Sequence, residues 1–193
     1  MSDKNDVLVM TKARFAEIDM DRIASIRAKA AAVLSSMTGL LSMSLWEEHD
    51  DPFTFLIVSH FAREEDSLTA WDLIMRSPVF DIINDLMTVT PSTSRFYVRS
   101  GTGIGLEQTE PGIFLSMSTR IAGMGYSPEL LTELSGIFQE LKAIPGFLGG
   151  ITGQMIDVED EVLGLAFWNS KPAFDASIPE QSMYRISLYQ RVL

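Results

Sequence analysis

The chain has 193 residues, 46% of them hydrophobic and 21% charged, which supplies a sizeable core and lacks the signature of a disordered polypeptide. A formal net charge of −11 argues against a general nucleic-acid binder, because phosphate contacts need clustered Lys and Arg. With no cysteine there is no disulfide framework, no thiolate nucleophile and no Cys-based metal site.

The first residues, MSDKND, carry neither a basic start nor an apolar signal-peptide core. No apolar run is long enough to span a bilayer, so a cytoplasmic protein without a membrane partner is expected. Val7 to Met10 is a short apolar run suited to a buried strand. Asp19 and Asp21 then precede Ile23, Ile26, Ala30, Val33, Leu34 and Met37, whose spacing predicts an amphipathic helix closed by Thr38-Gly39. Leu40 to Trp46 reads as a second strand, Glu47 to Pro52 as an acidic turn, and Phe53 to Phe61 as a strand covered on both faces. A second helical region starts at Ser67, breaks at Ser77-Pro78 and resumes through Phe80, Ile83 and Leu86. After a turn at Pro91 to Ser94, Arg95 to Arg99 forms a last strand, and Gly101 to Gly105 with Pro111-Gly112 marks a joint.

The order βαββαβ then repeats. A displacement of 107 positions lays Gly39 on Gly146, Asp50 on Asp157, Leu56 on Leu163 and Phe61 on Trp168, and also sets Leu8 on Leu115 and Met10 on Met117. The second copy runs through a strand at Ile113 to Arg120, a helix from Ser127-Pro128 to Ile144, and strands near Phe147 to Ile156 and Val162 to Trp168. A shortened helix at Lys171 to about Ile178 follows, and Tyr189-Gln190-Arg191 matches Tyr97-Val98-Arg99. Two units are expected, 1–105 and 106–193. Each is a ferredoxin-like unit with its helices on one face of an antiparallel sheet. Because the strands are apolar on both sides, the expected fold class is α+β, the two sheets facing each other as an intramolecular α+β barrel. This is a pseudo-dimer within one chain; further homodimerisation is left open.

Three segments carry a resemblance: Pro145-Gly146-Phe147-Leu148-Gly149-Gly150, Leu165 through Phe174 (LAFWNSKPAF), and Trp71 followed by Ser77-Pro78-Val79-Phe80. On them the chain resembles the dimeric α+β barrel proteins, and within these the antibiotic-biosynthesis-monooxygenase-like group, over nearly its whole length and as two fused copies. The resemblance implies a small-molecule ligand. It also implies one of several activities, since the group includes cofactor-independent oxygenases, haem-degrading enzymes and members without known activity. The haem-degrading branch has a His just after a Val-Phe pair like Val79-Phe80; here Asp81-Ile82-Ile83-Asn84 follows, with no His.

Candidate site residues follow from face and chemistry. Leu8, Met10, Leu115 and Met117 are assigned to the helix side, which leaves Val9, Thr11, Ser116, Ser118 and Arg120 on the opposite face as a polar-tipped pocket. His60, where the second copy has Phe167, is a candidate acid/base, although a packed, hydrogen-bonded His is the commoner case. Tyr97 and Tyr189 are candidate ligand donors, with Trp71 and Trp168 as walls. The expected catalytic set is His60, Tyr97 and Arg120; the expected substrate-binding set is Thr11, Trp71, Ser116, Ser118, Trp168 and Tyr189. No cofactor and no metal is expected: Glu47 to Asp51 reads as a solvated turn, and no dinucleotide, Walker, HExxH or G-x-S-x-G motif occurs. The leading expectation is a cofactor-independent monooxygenase acting on a phenol- or enol-like substrate. A non-catalytic metabolite- or partner-binding protein is the alternative, and haem binding the third reading.

Overall fold

Eight antiparallel strands pair edge to edge in the order β1-β3-β2-β8-β5-β7-β6-β4 and close on themselves. In this computed structural model the described residues are 6–16, 19–35, 37–178 and 186–193. The first half contributes β1 (Val7–Arg14), α1 (Met20–Leu34), β2 (Leu40–Glu48), β3 (Asp51–Phe61), α2 (Glu64–Met75), α3 (Pro78–Leu86) and β4 (Ser92–Gly103). A 3-10 turn at Leu106–Gln108 leads to β5 (Phe114–Ile121), α4 (Ser127–Leu141), β6 (Phe147–Met155), β7 (Glu161–Trp168), α5 (Lys171–Ser177) and β8 (Ser187–Arg191).

Local chemistry explains the main boundaries. Asp19 caps α1 by accepting the Arg22 amide at 3.0 Å. The first turn of α2 is acidic (Glu64, Glu65, Asp66), which suits the positive end of a helix, so α2 starts three residues before Ser67. Pro78 opens α3 and ends the preceding helix. The β2–β3 hairpin turns in two residues, His49 and Asp50, and the Asp51 carboxylate takes Thr54 Oγ1 at 2.8 Å and Arg14 Nη1 at 2.8 Å. The segment expected to joint the halves is partly strand: Gly101, Thr102 and Gly103 pair with Ile151, Gly150 and Gly149 of β6. Gly103 has φ of +71°, and a Cβ there would lie 2.1 Å from the Leu148 carbonyl oxygen, so only glycine fits.

Each half keeps the ferredoxin-like strand order, β4-β1-β3-β2 and β8-β5-β7-β6, and the halves join at two seams, β2–β8 and β4–β6. The inner faces share one core: Leu8, Met10, Val58 and Phe96 meet Leu115, Leu163, Leu165, Phe167 and Tyr189. This corrects the expected faces of β1 and β5. Leu8, Met10 and Leu115 point into the barrel; Val9, Thr11, Ser116, Ser118 and Arg120, alternating with them, lie on the side of the helices. The barrel interior is filled by side chains, as in other eight-stranded barrels. Outside it, α1 and α3 pack over β1, β2 and β3 through Ile23, Ile26, Val79 and Leu86, while α4 and α5 cover the second half through Phe138 and Phe174. No helix among the described residues is long and apolar enough to cross a membrane.

Candidate functional site

One space large enough for a small molecule lies between helices and sheet in the first half. It is a cavity of about 160 Å³ walled by Val9, Thr11 and Ala13 of β1, Met43 and Leu45 of β2, Ile57 and Ser59 of β3, and residues of α1, α2 and α3. Trp71, 46% exposed, stands at its rim on α2. Among the described residues Arg27 of α1 is the one charged member of the wall, and its Nε is buried with no hydrogen-bond partner among them. Arg27, half-buried, sits on the apolar stripe of α1, one turn from Ile23 and beside Ile26 and Ala30.

In the second half the corresponding described residues exchange sizes and fill the gap between helix and sheet. Setting Ile26 on Leu134 and Val33 on Leu141 puts Ala30 on Phe138 and Arg27 on Ser135. Phe138 descends onto Gly150 and Gly164, and its ring would lie 2.7 Å from a Cβ built at Gly150. Ser135 is satisfied, with Ser100 Oγ at 2.9 Å, and Ser100 in turn meets Thr152 Oγ1 at 2.7 Å. Trp168 completes the seal by donating its Nε1 to Ser116 Oγ at 3.0 Å, with Phe147 and Phe174 edge-on against the indole.

Of the residues expected to form a site, Thr11 and Trp71 line the cavity together. The others are distributed elsewhere. His60 points into the barrel near one mouth, its Nε2 3.6 Å from Asp6 Oδ2. Tyr97 lies on the helix side and donates to Glu64 of α2; Glu64 also meets Arg95 Nη1 at 3.4 Å. The hydrogen bond to Glu64, followed by burial and the Glu64 charge, holds the Tyr97 phenol above its ordinary value. Arg120 is beside Glu133 of α4, 3.8 Å away, while Ser116 and Trp168 bond each other in the second half; Ser118 abuts Gly164 there. Tyr189 is fully buried in the barrel, 5.8 Å from Lys12 Nζ over its ring. Burial and then the Glu48 charge push the Tyr189 phenol up, with Lys12 opposing. Lys12 itself is held above its ordinary value: burial opposes the ammonium, but the Glu48 hydrogen bond at 3.0 Å and the charges of Tyr189 and Glu48 outweigh it. Among the described residues no group of three or more His, Asp or Glu converges as a metal site.

The sequence reading missed Arg27. Its signal is a cation on the buried stripe of a helix whose other charges, Arg22 and Lys29, fall on exposed positions.

No family model matches the sequence, and no curated protein does. Solved structures match along almost all of it. A Fusobacterium nucleatum protein with a provisional monooxygenase name superposes with TM-score 0.73 at 10% identity, over 99% of this chain and 94% of that one. An anthrone oxidase-like protein gives 0.72 at 14% identity, over 99% and 93%. A Listeria monocytogenes ferredoxin-fold protein related to antibiotic biosynthesis monooxygenases gives 0.55 at 10%, over 95% of each chain. At this identity the likenesses establish the fold alone: a closed barrel of eight antiparallel strands built from two ferredoxin-like units in one polypeptide.

Proposed function

We propose that the protein binds a small aromatic or enolic molecule in the helix-side cavity of its first half and oxygenates it without a cofactor. The observation that carries this reading is an apolar cavity of about 160 Å³ whose described wall holds a single cation, half-buried Arg27, with its Nε closed off and without a hydrogen-bond partner among the described residues. The names carried by the similar structures favour oxygen chemistry over other uses of the fold, although fold alone does not decide activity.

The reaction needs little from the protein. The bound substrate anion, an enolate whose carbanion form carries one hydrogen on the reacting carbon, gives an electron to O₂. The resulting radical and superoxide combine into a new C–O bond, and the peroxide takes a proton from solvent. Loss of water then leaves a carbonyl at that carbon. One substrate anion, one O₂ and one proton thus give one ketone and one water, with one oxygen atom in the product and one in water. Arg27 holds the anionic oxygen, the dry walls strengthen that interaction, and Trp71 covers the opening.

Oxygen consumption by the pure protein with one- and two-ring phenols, hydroxynaphthalenes among them, tests the proposal. Uptake above the protein-free rate is expected, and Ala30→Leu, which extends a side chain into the cavity, should suppress it. Uptake equal to background with every such compound would remove the oxygenase reading. The second reading, non-catalytic binding of the same ligand class, is favoured by the absence of any Asp, Glu, His, Lys or Tyr among the described wall residues.

A further inference from the structure

We infer that the cavity admits its ligand as an oxyanion formed before binding, a phenolate or enolate with a body of one to two rings, and that Arg27 is its counter-ion. This rests on the cavity being the ligand site, as proposed above, but not on any reaction taking place there.

Among the described residues the wall contains no group that could remove a proton. Its side chains are apolar apart from Arg27, the hydroxyls of Thr11, Ser44, Ser59 and Ser67, and the indole of Trp71. Three of those hydroxyls are engaged: Thr11 Oγ1 meets Thr93 Oγ1 at 3.1 Å, Ser67 Oγ donates to the Glu64 carbonyl at 2.7 Å, and Ser44 Oγ accepts from Trp46 Nε1 at 2.8 Å. An alcohol in such surroundings is no base. His60, the nearest candidate by sequence, points to the other side of β3 and does not touch this space.

The wall is nevertheless built for negative charge. The Arg27 guanidinium makes no hydrogen bond or ion pair with a described residue, and Nε is closed off from water. Arg27 as a whole is half-buried, but an N–H closed off from water without a partner is unfavourable, and an anion entering the cavity would relieve it. No carboxylate competes among the described wall residues, and a charged neighbour that feels Arg27 is another cation, Arg191, whose proton affinity is lowered by burial and then by Arg27. A neutral phenol would leave the guanidinium facing apolar surface, so the cavity must favour the ionised form and lower the pKa of a bound phenol. Size narrows the class further. A dry apolar cavity of about 150 Å³ accommodates benzene, so about 160 Å³ takes one ring fully and a second only if it reaches the Trp71 rim.

4-Nitrophenol and 4-nitroanisole make the test, because they share a ring and differ in whether they can ionise, and the phenolate has its own absorption band. Bound 4-nitrophenol should titrate about one pH unit or more below the free compound, and its anion should bind about tenfold or more tighter than the anisole, the range expected for one opposite charge nearby. Arg27→Gln should abolish the shift, and Arg27→Lys should retain part of it, with circular dichroism showing both variants folded. Phenol bound with an unshifted titration, or anisole binding as tightly as the phenolate, overturns the inference while leaving the cavity as a ligand site. Anion capture without oxygen uptake by any substrate supports the inference and overturns the oxygenase reading. If neither probe binds, the inference falls.

Discussion

Gly150→Ala tests the seal of the second half. A Cβ at Gly150 has the Phe138 ring as its three nearest neighbours, at 2.7, 2.8 and 3.0 Å, closer than side chains pack. Phe138 is 7% exposed and held among Ala166, Trp168 and Leu188, so the ring cannot simply withdraw. The added methyl is therefore expected to destabilise by about 1–3 kcal/mol, the usual range for overpacking. Phe138→Ala alone should lose about 3–5 kcal/mol, as for other buried Phe truncations. In that background the Gly150 methyl has room, and the ordinary preference for Ala over Gly within a strand, about 0.5–1 kcal/mol, should make Gly150→Ala favourable. The two changes are thus coupled by about 2 kcal/mol or more, and the sign of the second depends on the first. Urea unfolding of the four proteins, read at constant m, measures the cycle. Additivity within about 0.5 kcal/mol would refute the reasoning, because it would mean the ring and the glycine do not touch.

Trp168→Phe removes the indole donor from Ser116 and should destabilise by about 1–2 kcal/mol, whereas Trp168→Phe combined with Ser116→Ala should recover much of that loss in the same urea assay. Ala30→Leu should weaken 4-nitrophenol binding about tenfold or more while shifting stability by no more than about 1.5 kcal/mol, since the cavity has room for the added carbons; a larger loss would show the space to be already occupied. His60→Asn and Tyr97→Phe should leave 4-nitrophenol affinity within about twofold of wild type, because neither residue lines the cavity; a larger effect in a calorimetric titration would place the ligand elsewhere. Tyr97 and Tyr189 both hold their protons more tightly folded than unfolded, so their contribution is complete below the ordinary tyrosine value of 10.0 and is lost as pH rises through the folded values. Stability should accordingly fall with increasing pH above 10.0, less steeply in Tyr97→Phe, and a flat alkaline profile would contradict this.

The element order was legible because each boundary has a local cause: Asp19 at the start of α1, Pro78 at the break between α2 and α3, and the common displacement that laid Leu8 on Leu115. The faces of β1 and β5 were not. Both alternating sets in Val7–Met10 are apolar, one for the barrel core and one for the helices, so a period of two gives no contrast from which to choose. With the faces exchanged, the expected site residues scattered, and only Thr11 and Trp71 remained together. The cavity itself depends on volumes facing one another across a helix-sheet gap, Ala30 against Met43 and Ile57 in one half and Phe138 against Gly150 and Gly164 in the other. Residue types along a single strand do not reveal such a pairing. Arg27 could have been found from its position on the stripe of Ile23, Ile26 and Ala30.

The two seams of the barrel are unequal. Along β4–β6 seven residue pairs run from Phe96 to Gly103, whereas β2–β8 pairs only Trp46, Glu47 and Glu48 with Arg191, Gln190 and Tyr189, extended by backbone bonds between Leu45 and the last two residues. Thermal breathing should begin where the ladder is shortest, so amides of β8 and the adjoining part of β2 should exchange with deuterium sooner than those of β6. Leu45, on that looser edge, is also part of the cavity wall, so the joint between the two copies doubles as the most yielding side of the first half's chamber.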